Sequence, residues 1–230
     1  KTYWDSLLAH QPRQEWEILW IDDCSTDGTQ EWLEGLDHQC SRSILRNTKG
    51  NFAINNNEAA KIARGDILCL LNNDIKLTSN WLEPMLGILK KFPDAGLVGN
   101  VHRIPSTGRY DHFGVCFPDW LTPQHYGQHL RACPREISGA ASRWAAVTAA
   151  CTVIRKSVFE SVGGFDERYI NGCEDIDLCL RLHTKGYWHY VAHKSEILHH
   201  KGSSPGRKNH NDLNLLRFKE IHSTYLRDHL

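Results

Sequence analysis

The sequence predicts an α/β protein: a doubly wound, mainly parallel sheet with helices on both faces. Three observations carry that prediction. Apolar runs of strand length alternate with amphipathic runs of helix length over the first hundred residues. The connections between them are short, as in βαβ units. Two apolar runs, "EILWIDD" and "DILCLLNND", stop abruptly at carboxylates or amides, which are poor strand formers and so not there to pack.

The elements follow in order. Thr2 to His10 has the pattern of a helix and Trp16 to Ile21 that of a strand. "CSTDGT" supplies capping side chains and a Gly28 turn, so a helix is expected from Thr29 to Leu36. Ser43 to Leu45 is a short strand, Phe52 to Ala63 a helix and Asp66 to Leu71 a strand. Trp81 to Phe92 is a helix with Leu82, Met85, Leu86 and Leu89 on one face. Beyond it, "AGLVGNVHRI" and "YDHFGVCF" are strand-like, whereas Asp119 to Ser142 has no period and is a candidate loop or lid. "WAAVTAACTVIRKSVFESVGGFD" reads as a strand and a short helix closed by a Gly-Gly turn. Glu174 to Thr184 is helical, "WHYVAHKSEILHH" holds one or two short strands, and Asp212 to Leu226 is a last helix.

Bulk properties bound the function. With 27 basic and 27 acidic residues in 230, the net charge is zero, which does not suggest a nucleic-acid binder. The eight cysteines include no CxxC pair, so no zinc ribbon or compact disulfide framework is indicated. Cys69 and Cys151 sit inside apolar runs, as buried thiols do, and favour a reducing compartment, although an even count leaves disulfides open. No apolar stretch approaches the roughly 18–20 residues that span a bilayer. The opening "KTYWDSLLAHQ" resembles the body of a helix, so the segment is expected to begin partway along a longer chain.

Four groups of residues point to chemistry. In open sheets, ligands bind beyond the carboxyl ends of strands. Asp22 and Asp23 lie at one such end; as acceptors they suit a base imide or ribose hydroxyls. Asp74, beside Asn72 and Asn73, suits a hard divalent cation shared with phosphate oxygens, although a strand-to-turn Asp is the blander alternative. Glu174, Asp175 and Asp177 fall in a first helical turn, where acidic groups suit the dipole. Asp177 pairs at i,i+4 with Arg181, which leaves Glu174 and Asp175 as an acidic couple able to accept a proton. Of His199 and His200, at a strand end, at most one faces any given site, and a neutral imidazole is a common metal ligand.

These residues stand within five motifs: "WIDDCSTDGT", "NTKGNFAINNNEAAKIARGDILCLLNND", "WLEPML", "VGGFDERYINGCEDIDLCLR" and "ILHHKGSS". In this order and spacing, from about Leu7 to Ser204, the chain resembles a family 2 glycosyltransferase of GT-A fold, in the rhamnosyl- and galactosyltransferase-like branch. The resemblance implies a single catalytic domain over 1–230, with a nucleotide-binding half (1–100), an acceptor and catalytic half (101–205) and a C-terminal helix (206–230). It implies that Asp22, Asp23 and Asn73 bind the nucleotide, with Asp23 on the base. Asp74 and His199 would hold Mn²⁺ or Mg²⁺, and Asp175, with Glu174, would deprotonate the acceptor. Asn72 departs from the family's Asp at the first position of the metal motif. The family's opening strand is absent and is expected upstream of residue 1.

The implied reaction is inverting, metal-dependent transfer of a sugar from a nucleoside-diphosphate sugar to a hydroxyl of a saccharide or lipid-linked acceptor. The implied location is cytoplasmic, peripheral at the inner membrane face if regions outside this segment provide an anchor. Arg131, Arg135, Arg143, Lys201, Arg207 and Lys208 are possible phosphate contacts, and Trp120, Trp144 and Tyr169 an aromatic acceptor platform or core. Two alternatives of other classes remain: a sugar nucleotidyltransferase, and an inactive carbohydrate-binding domain of the same fold.

Overall fold

The computed structural model describes residues 2–118, 122–200 and 209–229. Trp120, Lys201, Arg207 and Lys208 lie outside them. In chain order the elements are α1 (Thr2–Ala9), β1 (Ile18–Asp22), α2 (Thr29–Glu34), β2 (Ser41–Leu45), α3 (Phe52–Ile62), β3 (Ile67–Leu71), β4 (Ile75–Leu77), α4 (Glu83–Lys91) and β5 (Ala95–Arg103). There follow β6 (Tyr110–His112), β7 (Val115–Cys116), β8 (Gln124–His125), β9 (Ala141–Trp144), β10 (Cys151–Arg155), α5 (Lys156–Glu160), α6 (Glu174–His183), β11 (Trp188–His199) and α7 (Asn211–His229). Every helix and strand expected in the first hundred residues is present, with ends displaced by one or two residues; β4 is an addition.

The central sheet has the order β3-β10-β5-β11-β4, with β6 paired to β5 and β9 to β11. It is mixed. β5 and β11 run parallel, while β10 lies antiparallel between β3 and β5. β1 and β2 form a separate parallel pair.

Alternation along each strand divides the core between two faces, because successive side chains point to opposite sides. Val98, Val153, Tyr190 and Ala192 face one layer, with Tyr3, Trp4 and Leu7 of α1 and Met85, Ile88 and Leu89 of α4. Their neighbours Leu97, Ile154 and Val191 face the other, with Ala53 and Ala60 of α3, Val158 and Phe159 of α5, and the apolar sides of α6 and α7. Helices therefore cover both faces. α1 is also tied down by polar contacts: the Ser6 hydroxyl accepts from the Leu77 amide at 3.1 Å, and the Trp81 indole donates to the His10 carbonyl at 2.9 Å.

Local chemistry explains several boundaries. Asn51 caps α3, accepting from the Ile54 amide at 2.9 Å, and its own amide donates to the Glu167 carbonyl at 3.0 Å. Gly164, at φ +72°, closes the Gly-Gly turn; a Cβ there would stand 2.4 Å from Asn57 Oδ1. α6 and α7 are clamped by Asp177, buried, which accepts from Arg181 Nε at 2.7 Å and His222 Nε2 at 2.8 Å. Tyr169 is fully buried and belongs to the core, not to an exposed platform. All eight cysteines are unpaired thiols. No helix among the described residues is long and apolar enough to cross a membrane.

Candidate active site

The first acidic pair divides its labour. Asp22 is buried at the end of β1, where its Oδ2 accepts from the Ser25 amide at 3.0 Å and from Gln30 Nε2 at 2.6 Å. Burial favours protonation of Asp22, but the hydrogen bonds from Ser25 and Gln30 outweigh it and hold the carboxyl below its ordinary range. Asp22 thus shapes the turn that presents Asp23. Asp23 is half-buried; its Oδ1 accepts from the Gly50 amide at 2.6 Å and lies 3.7 Å from Arg46 Nε. Asp27 takes a local role, accepting from the Thr29 amide and hydroxyl while Gly28 turns at φ +83°.

A chain of hydrogen bonds links Asp23 to the second acidic couple. Asp23 holds Gly50; next to it, Asn51 holds the Glu167 carbonyl, and the Phe52 amide donates to Asn171 Oδ1 at 3.0 Å. Asn171 and Cys173 both adopt positive φ, 53° and 68°, and Cys173 is the N-cap of α6. Such backbone is costly for non-glycine residues and persists where surroundings fix it. It launches α6 with Glu174 buried and Asp175 half-buried. Asp175 Oδ2 accepts from the Ala149 amide at 3.1 Å and Oδ1 from the Ile176 amide at 2.9 Å. The Cys173 thiol beside them is pushed up to about 12, by burial first and then by Asp175 and Glu174, so it is no nucleophile at neutral pH.

The same network reaches Asp74. The Asn72 amide donates to the Ala150 carbonyl at 2.9 Å, next to the Ala149 that Asp175 holds. Asp74 follows in the turn into β4, with Asn73 exposed beside it. The His200 amide donates to the Asp74 carbonyl at 2.8 Å, and His199 Nε2 stands 3.2 Å from Asp74 Oδ1. His199 is buried and His200 exposed, as strand alternation requires.

Sequence reasoning named His199 but missed the buried polar residues that join it at this end of the sheet. His102 on β5, Asp111 on β6 and His199 on β11 each offer a ligand atom within 4.8 Å of the others, and all three are buried. His112 packs on His102 with ring centroids 5.0 Å apart, and His125 on His112 at 4.8 Å. The available signal was a histidine inside the apolar run "LVGNVHRI", a pattern equally suited to a satisfied core residue. An open cleft of about 660 Å³, lined by Cys116 and residues 123–130, borders the cluster through His125. Arg143, a possible phosphate contact by sequence, stacks on the Trp188 ring at 4.1 Å.

The donor set is suited to a divalent cation: carboxylates and imidazoles converge, withdrawn from water, at the end of three neighbouring strands. An acidic pair thus ends β1, a single carboxylate, Asp74, follows β3, and Glu174, Asp175 and Asp177 open α6.

The match to the model for Glycosyl transferase family 2, over residues 2–163, covers most of the chain, which therefore belongs to that family. It is 31% identical over 216 residues to the O-antigen biosynthesis protein RfbC of Myxococcus xanthus, covering 89% of this chain and 16% of that protein. It is 33% identical over 126 residues to the N-acetylglucosaminyl-diphospho-decaprenol L-rhamnosyltransferase of Mycobacterium tuberculosis, covering 53% and 39%. The chain thus spans well under half the length of these relatives. In fold it is similar to GalNAc-T7 solved with UDP, GalNAc and Mn²⁺, at a TM-score of 0.72 and 17% identity, covering 97% of this chain and 46% of that one.

Proposed function

We propose that the protein transfers a sugar, with inversion, from a nucleoside-diphosphate sugar to a hydroxyl of a saccharide or lipid-linked acceptor. The observation that carries this reading is the series of tertiary hydrogen bonds, joined by short stretches of backbone, from Asp23 through the start of α3 and of α6 to Asp175, Ala149, Ala150 and the Asp74–His199 pair. Those residues are far apart in sequence, and a fold alone gives no reason to tie them together. The membership of family 2 and the L-rhamnosyltransferase among its relatives support the same reading.

In this proposal Asp23, set by Asp22, accepts hydrogen bonds from the base or ribose, with Asn73 at the open rim toward the diphosphate. Asp74 and His199 hold a divalent cation, which when bound neutralises charge on the leaving diphosphate. Asp175 is the general base. Its carboxylate is fixed by two backbone amides, so it meets the acceptor hydroxyl without reorganising. Buried Glu174 flanks it. The acceptor oxygen attacks the anomeric carbon opposite the phosphate in one displacement, and no protein nucleophile is required. The cleft beside His125 is the proposed approach for the acceptor.

Turnover of a nucleotide-sugar panel, read as released nucleoside diphosphate, tests the reaction. Asp175→Asn should keep donor binding and lower turnover by about 10²–10⁴-fold, the usual contribution of a general base. Full turnover by that variant removes Asp175 from the role. Pyrophosphate released from a nucleoside triphosphate would instead indicate a nucleotidyltransferase.

A further inference from the structure

We infer that His102 and Asp111 are metal ligands in their own right. Together with His199 they make a two-imidazole, carboxylate seat that takes a transition-metal cation such as Mn²⁺ or Zn²⁺ in preference to Mg²⁺. The inference shares His199 with the function proposed above and rests on that reading only through it.

Three independent features support it. The first is register. Ile197 pairs with His102 across the parallel β5–β11 ladder, so His199, two residues on, projects from the same face as His102. The second is a bulge. Two residues of β5, His102 and Arg103, face three of β6, Tyr110 to His112. Simple alternation would place adjacent Asp111 and His112 on opposite faces. The irregularity re-aims Asp111 so that its carboxylate lies within 4.8 Å of both imidazoles, a use that bulges beside active sites commonly serve.

The third feature is the orientation of the His102 ring. Its Nε2 is 3.1 Å from Asn100 Oδ1. The Asn100 amide nitrogen is itself committed, donating to Ser195 Oγ at 3.1 Å and Cys151 Sγ at 3.3 Å. Asn100 Oδ1 must then accept, which puts the imidazole proton on Nε2 and the lone pair on Nδ1. A histidine ligand typically has its second nitrogen fixed this way by a carbonyl or carboxylate. Asn100, Ser195 and Cys151 are all buried, so this arrangement is built into the core. Imidazole nitrogen suits Zn²⁺ and the other later first-row cations, and the carboxylate suits Mn²⁺, whereas Mg²⁺ dehydrates reluctantly and keeps oxygen and water ligands.

Metal binding by the purified protein is the test, with Mn²⁺, Co²⁺ and Mg²⁺ as probes and circular dichroism as the check on folding. Mn²⁺ is expected to bind at one per chain, with Mg²⁺ a weak competitor. His102→Ala and Asp111→Asn should each weaken Mn²⁺ at least about tenfold, and Asn100→Ala by about 10–100-fold through loss of ring positioning. Spin-echo spectroscopy of Mn²⁺-loaded wild type with ¹⁵N-histidine should count two coordinated imidazoles, a readout independent of any variant. One imidazole or none, wild-type affinity in folded His102→Ala and Asp111→Asn, equal competition by Mg²⁺, or no Mn²⁺ binding would each overturn the inference. Nucleoside diphosphate binding, followed in parallel, separates the two readings. If diphosphate binding needs Mn²⁺ but ignores His102, only the ligand assignment fails. If Mn²⁺ binds through His102 but no diphosphate does, only the transferase reading fails.

Discussion

Asp22 and Asp23 are adjacent and chemically identical, yet the fold gives them different work. Asp22 is spent on Ser25 and Gln30, and Asp23 faces Gly50 and the rim. Asp22→Ala is therefore expected to cost about 1–3 kcal/mol of stability, since it strands those donors, as read in chemical denaturation. Asp23→Ala should cost less stability than Asp22→Ala, since it strands only the part-buried Gly50 amide, and should weaken nucleotide binding. The converse pattern would reverse the assignment. A second residue-scale prediction concerns His189, fully buried, which accepts from the Leu97 amide at 2.9 Å on Nδ1 and contacts the Cys179 carbonyl at 2.9 Å through Nε2. Burial lowers its pKa to about 3, against an ordinary value near 6.5. Between those values the unfolded chain binds the extra proton, so stability falls as pH drops from about 6.5 toward 3. His189→Gln should flatten that slope in pH-dependent denaturation; an unchanged slope would show that other groups cause it.

At the scale of elements, the prediction of helices and strands rested on periodicity, which the chain displays clearly. Pairing direction leaves no such trace. Nothing in "CTVIR" announces that β10 runs antiparallel between β3 and β5, and the bulge that turns Asp111 is a one-residue irregularity in a three-residue strand. His102 was illegible for a related reason, because one histidine in an apolar strand reads as core until its neighbours across the sheet are known. Close packing between elements gives direct tests. Gly96 lets β5 pass His189; a Cβ there would stand 2.7 Å from the ring, so Gly96→Ala should cost about 1–3 kcal/mol in thermal or chemical melts. The α6–α7 clamp predicts a similar loss for His222→Ala, with faster amide exchange confined to α7. Uniform loss of protection would indicate that α7 is no separate unit.

For the whole molecule, the two-faced core and the site are parts of one arrangement. Leu97 and Val98, or Ile154 and Val153, send neighbouring side chains to opposite layers and so hold the sheet rigid between helices. The strand ends that leave this rigid sheet carry Asp74, His102 and His199, while α6, packed on the same sheet, carries Asp175. The motifs made the site's acidic members legible one by one; their connection through Gly50, Asn171, Ala149 and Asn72 emerges only from tertiary hydrogen bonds. That connection is the central claim, and metal-dependent nucleotide binding tests it most directly. Calorimetric titration with a panel of nucleoside diphosphates, with and without Mn²⁺, should find one that binds tightly only when Mn²⁺ is present. Asp74→Ala should abolish that dependence, and Asp175→Asn should keep it. Equal affinity with and without Mn²⁺, or unaltered dependence in Asp74→Ala, would contradict the account.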